Sequence, residues 1–168
     1  MDTLGRLSTN RSKNLVGFLV GDVNYAVDIF RVREIINPLP VVTLPHASPV
    51  VLGVADHRGD VVPVIDLRRR FELPAQASGR RAKWIVVGAS GRPVGLAVDA
   101  VTEVFGGDPA EQRSVPSLGA GDQARGIADV YLHEGSLVFV IDVDRVAAPA
   151  EEIDVAQVHH GVQQGGSP

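Results

Sequence analysis

A chain of 168 residues with a net charge of −4, 45% apolar and 21% charged side chains has the make-up of one globular domain with tails. That length buries roughly two-thirds of the unfolded surface, enough for a core without staples. The absence of cysteine excludes disulfides, thiolate chemistry and Cys-based metal sites, and the acidic balance speaks against nucleic acid as a main partner.

Only 5% of residues are aromatic, so the core is expected to be built from small branched side chains. No apolar run approaches the about 18 residues of a membrane-spanning helix, so no direct membrane insertion is expected. The first twelve residues lack the apolar centre of an export signal, and a cytoplasmic setting is expected. Arg68-Arg69-Arg70, with Arg80, Arg81 and Lys83, is the one basic patch and reads as a solvated face.

In chain order, residues 1–13 form a polar, flexible lead-in. Asn14 to Val20 reads as a strand, Gly21-Asp22 as a turn, and Asn24 to Asp28 as the returning strand. Ile29 to Ile36 carries apolar residues at 29, 32, 35 and 36, which predicts a short helix with one buried face, capped by Asp28 and stopped at Asn37-Pro38. Val50 to Ala55 and Val61 to Ile65 are two β-branched runs around Asp56-His57-Arg58-Gly59-Asp60, the pattern of a buried hairpin. Pro63 marks an edge position or a bulge in the returning strand. Leu67 to Phe71 reads as a single helical turn.

Residues 74–81 are a linker by composition. Trp84 to Val87 and Pro93 to Val98 form a second hairpin. Residues 106–126 read as loop, with a short strand near Arg113 to Val115. Gly126 to Leu132 and Leu137 to Val143 form the last hairpin, Asp144 to Ala147 begins a terminal turn, and residues 148–168 are a flexible tail. Many short strands, Gly/Pro turns and one helix give an all-β fold.

The segment Gly53-Val54-Ala55-Asp56-His57-Arg58-Gly59-Asp60-Val61-Val62-Pro63-Val64-Ile65-Asp66-Leu67-Arg68 resembles the signature of the CheW-like family of adaptor domains. Ten residues match in register: Gly53, Val54, Arg58, Gly59, Val62, Pro63, Val64, Asp66, Leu67 and Arg68. Asp56 and His57 stand where Asn and Leu are usual. Ile29 to Ile35, Thr43-Leu44-Pro45 and Gly95 to Val104 are similar to further steps of the family pattern. The resemblance covers about residues 14–147. It implies two adjacent five-stranded SH3-like barrels, and the linker at 74–81 suggests that the lobes divide near there, with crossing of strands between them left open.

By the same resemblance, a non-catalytic adaptor couples the cytoplasmic tips of methyl-accepting chemoreceptors to the regulatory domain of a CheA-like histidine kinase, within receptor arrays and rings of CheW-like domains. Val32, Glu34, Ile35, Gly53, Arg58 and Gly59 would shape the receptor-binding groove. Arg58 is expected to pair with Glu34 in a partly buried contact, within about 4 Å. Asp56 and His57 are candidate specificity positions; His57 is either a solvated turn residue, a retuning of receptor choice, or a source of pH sensitivity. A specialised adaptor that binds receptor but not kinase is the nearest alternative, and a small β-barrel ligand carrier or hydrolase a more distant one.

Catalytic chemistry finds little in the residues. Asp56, Asp60 and Asp66 flank a hairpin and need not converge on a metal. The five histidines are scattered, and His159-His160 alone do not make a site. Neither a nucleophile elbow nor a phosphate loop is present. No metal and no cofactor is expected.

Overall fold

The computed structural model describes residues 13–115 and 126–153. Among the described residues, eleven strands form two sheets. The first holds β1 (Lys13–Val20), β2 (Val23–Asp28), β8 (Ala100–Gly107), β9 (Gln112–Arg113), β10 (Ile127–His133) and β11 (Ser136–Ile141), in the order β8-β1-β2-β11-β10-β9. The second holds β3 (Val32–Ile36), β4 (Val51–His57), β5 (Asp60–Asp66), β6 (Lys83–Ala89) and β7 (Arg92–Val98), in the order β3-β6-β7-β5-β4. Two helices complete the described chain, α1 (Leu67–Arg70) and α2 (Val143–Glu151). The architecture is all-β, two small barrels of the SH3-like kind.

The division between barrels differs from the expected one. Residues 74–81 join α1 to β6, both belonging to the second lobe. The true partition is nested: residues 32–98 build the second sheet, while strands from both sides of that stretch build the first. A parallel pairing of β2 with β11 and an antiparallel one of β1 with β8 tie the early strands to the late ones. The first sheet therefore has six strands rather than five, the sixth being the two-residue β9.

The predicted helix over 29–36 is a second correction. Only Ile29–Arg31 turns, as a 3₁₀ helix whose Phe30 N–H is accepted by Asp28. From Val32 the backbone is extended and pairs with β6, Val32 opposite Val87 and Ile36 opposite Trp84. β-Branched Val32, Ile35 and Ile36 favour a strand where an edge is available. The register shift between Val32 and Glu34 breaks the alternation and imitates helical spacing.

Pro63 is accommodated as a strand residue because of where its neighbour bonds. Val54, opposite it, exchanges both backbone hydrogen bonds with Val42 at 2.8 and 2.9 Å, away from β5. The Val54–Pro63 pair is thus the kind that needs no donor from proline. Gly53 permits this approach: its φ is 149°, and a Cβ there would sit 2.3 Å from the Val42 carbonyl oxygen.

One apolar core runs through both lobes. Phe18 and Val27 of the first sheet meet Ile65, Ile85 and Leu96 of the second, with Val146 and Ala147 of α2. Each of the larger of these side chains, from valine upward, contributes about 1.5–3 kcal/mol when removed from water. Tyr25 stacks between Phe18 and Phe71, at centroid distances of 5.8 and 4.7 Å. Asp99, between β7 and β8, adds a polar tie: it accepts from Gly21 N–H at 2.6 Å and from the Arg68 fork at 3.0 and 2.7 Å.

Beyond residue 147 the chain stays folded. The expected terminal turn is a nine-residue helix, α2, and Ala150 and Ile153 are buried. Val143, Val146, Ala147 and Ala150 form its apolar stripe at helical spacing. The expected strand near 113–115 shortens to β9, and the rest of the 106–126 reading reaches into residues 116–125, outside the described chain, as does the tail from 154.

Candidate functional site

Arg58 and Gly59 are the two central residues of the β4–β5 turn, with φ of 54° and 87°. Positive φ at both positions is the geometry that matches the twist of a hairpin, and Asp56 secures it by accepting the Gly59 N–H at 3.0 Å. The turn throws the Arg58 side chain outward. Glu34, from β3 across the barrel seam, meets it: Arg58 Nη2 lies 2.8 Å from Glu34 Oε1.

The expected Glu34–Arg58 pair is therefore present, with one difference. Glu34 is half-buried, but the Arg58 side chain is 75% exposed and offers most of its donors to the surroundings. A second partner was not foreseen in this role. His57 Nε2 lies 2.9 Å from Glu34 Oε2, so each carboxylate oxygen has its own cationic or hydrogen-bonding neighbour. The His57 hydrogen bond first, with the Arg58 charge, holds the Glu34 carboxyl below its ordinary value against the opposing effect of burial. Of the alternatives for His57, a solvated turn residue is set aside: its side chain is 19% exposed and engaged.

The other expected residues are placed as follows. Val32 packs against the shared core, half-buried, while Ile35, opposite Ile85 in the register, is 41% exposed. Both sit on a strand, not on the helix predicted for them. Gly53 lies four residues back along β4 from His57, on the order of 13 Å away, under Val42. Asp56 and Asp66 are engaged locally, the latter capping α1 and pairing with Arg69 at 3.4 Å, so these carboxylates form no common site.

The returning strand of the same hairpin borders a hollow of about 550 Å³. Val61 and Pro63 of β5, Val94 of β7, and Ala150 and Ile153 at the end of α2 give it an apolar floor, and Arg33 of β3 stands at its edge. Asp60 joins it to the Arg58-Gly59 turn. A concavity of this size and lining suits an apolar ridge of another protein. The contribution of α2 was missed from the sequence, although the spacing of Val143, Val146, Ala147 and Ala150 carries the signal.

A family model, the CheW-like domain, matches residues 14–151. The chemotaxis protein CheW of Rhizobium meliloti (strain 1021) is 36% identical over 149 residues, which covers 88% of this chain and 95% of that protein. The chemotaxis protein CheW of Bacillus subtilis (strain 168) is 28% identical over 134 residues, 80% of this chain and 86% of that one. The crystal structure of the scaffolding protein TtCheW from Thermoanaerobacter tengcongensis superposes with a TM-score of 0.74 at 27% identity, covering 80% of this chain and 92% of that one. The family model covers most of the chain and these likenesses agree with it: the chain belongs to the CheW-like domain family.

Proposed function

We propose that this chain is a non-catalytic adaptor in chemosensory signalling, coupling chemoreceptor cytoplasmic tips to a CheA-like histidine kinase in the cytoplasm. The observation that carries the reading is the exposed Arg58, held by Glu34 at 2.8 Å, at the tip of a hairpin whose Asp60, Val61 and Pro63 line a largely apolar hollow. An apolar ridge of a receptor helix fills such a hollow while a polar group at its edge meets the guanidinium. Receptor state is passed on through differential affinity, since a ligand shifts an equilibrium only by binding two states unequally. Ile35, exposed on β3, and Gly59, which shapes the turn, belong to the same surface; Asp56 and His57 tune it. Other CheW-like domains in a receptor array are further partners in this reading.

The test is a pair of separate titrations, one with a receptor tip fragment and one with the kinase regulatory domain. Binding of both at tens of micromolar, about −6 to −7 kcal/mol, is the expected result. Binding of the receptor fragment alone selects the spacer-type adaptor, and binding of neither overturns the coupling role.

A further inference from the structure

Each barrel closes with a similar small device. In the second, His57 ends β4, Arg58-Gly59 makes the turn, and His57 reaches Glu34 across the seam at 2.9 Å. In the first, His133 ends β10, Glu134-Gly135 makes the turn with φ of 49° and 79°, and His133 Nε2 reaches Glu103 Oε1 of β8 at 2.9 Å. The two devices differ at the residue after the histidine. Arg58 brings a cationic neighbour to a carboxylate. Glu134 brings a second carboxylate to an imidazole, its Oε1 3.9 Å from His133 Nε2.

The first device is thus arranged for a cation where the second repels one. His133 is also fixed from outside the cluster. Its ring lies flat on Phe105, centroids 4.0 Å apart and planes 15° apart, which holds Nε2 toward the two carboxylates. Among the described residues neither Glu103 nor Glu134 is paired with a lysine or arginine. The three donor atoms lie within 4.8 Å of one another. Donors of a tetrahedral zinc ion at about 2.1 Å stand roughly 3.4 Å apart, so a rotation of the exposed Glu134 side chain, with Glu103 drawing back from its 2.9 Å hydrogen bond to His133, brings the set to that spacing. Hollows of about 300 and 120 Å³ border His133 and Glu134 on two sides and leave room for water ligands.

We propose that Glu103, His133 and Glu134 bind a divalent transition-metal cation, Zn²⁺ being the probe of choice, which staples β8 to the β10–β11 hairpin. One neutral imidazole nitrogen and two carboxylate oxygens are a borderline set that suits such ions, with water completing the coordination. The site is on the first barrel and does not rest on the adaptor reading.

Calorimetric titration of the full chain with Zn²⁺ tests it, alongside Glu103→Gln, Glu134→Arg (which copies the other hairpin) and a His159→Gln/His160→Gln tail variant. One Zn²⁺ per chain is expected, weakened at least about tenfold in Glu103→Gln and Glu134→Arg and unchanged in the tail variant. A rise in Tm with Zn²⁺ that disappears in Glu134→Arg is the second expected readout. No binding at about 100 µM Zn²⁺, or binding that survives Glu134→Arg and vanishes in the tail variant, overturns the proposal.

Discussion

Arg70 Nη2 donates a hydrogen bond of 3.3 Å to the main-chain carbonyl of Arg145. That carbonyl lies four residues before Pro149, whose ring nitrogen has no hydrogen to give it. A side chain from α1 thus replaces the helical donor that α2 lacks. Replacing Pro149 by Ala restores the donor, and we expect it to raise stability by about 1–2 kcal/mol. Arg70→Ala is expected to cost about 1 kcal/mol in the native background and less in Pro149→Ala. Urea denaturation of the four proteins measures the coupling; strict additivity would show that the two positions act independently.

At Gly53 a Cβ would meet the Val42 carbonyl oxygen at 2.3 Å and Val41 Cγ1 at 2.4 Å, on a backbone with φ of 149°. Overpacking and backbone strain act together here. Gly53→Ala is expected to destabilise by about 3 kcal/mol, seen as a lower urea midpoint, whereas Gly59→Ala, with open space around it, costs less.

The Arg68–Asp99 fork joins α1 to the crossover between the lobes, with Arg68 17% and Asp99 34% exposed. Removing one partner leaves the other partly desolvated. Arg68→Ala is expected to cost about 2 kcal/mol. Arg68→Lys should recover little of it, because a single ammonium cannot reproduce the two-pronged contact. Full recovery by lysine in thermal unfolding would contradict this account.

Because the Glu34 carboxyl titrates lower in the folded chain than its ordinary value of 4.5, its clasp with His57 and Arg58 supports folding above that pH. The support is lost as pH falls from there through the lowered folded value. Glu34→Gln removes the titrating group, so its stability is expected to fall less steeply below pH 4.5 than that of the native protein. Identical slopes in acid unfolding would show that the clasp adds nothing. The same variant is expected to weaken receptor-fragment binding about tenfold, on the scale of one charged contact.

The hairpins could be read from the chain because local chemistry sets them: Arg58-Gly59 and Glu134-Gly135 each supply the left-handed backbone that a two-residue turn demands. The Glu34–Arg58 contact was also legible. His57 as the second partner of Glu34 was not, since that depends on where β3 lies across the seam. β3 itself was misread because a bulge shifts its apolar spacing. Pro149 concealed α2, its cost being offset by Arg70, a residue 79 positions away along the numbering of the chain. The nested lobes were invisible for the same kind of reason: pairings such as β1 with β8 and β2 with β11 leave no trace in any local window.

That nesting also imposes an order on synthesis. Residues 32–98 contain every strand of the inner barrel, so its ladder can close as soon as they leave the ribosome. The outer barrel must wait for Ser136–Ile141, the neighbour of β2, although β1 and β2 emerged first. Both flanks of the β1–β2 hairpin therefore stay bare until Ala100–Gly107 arrives beside β1, and the β2 flank until Ser136–Ile141 arrives, so the nascent chain must keep sticky edges from other chains in the meantime.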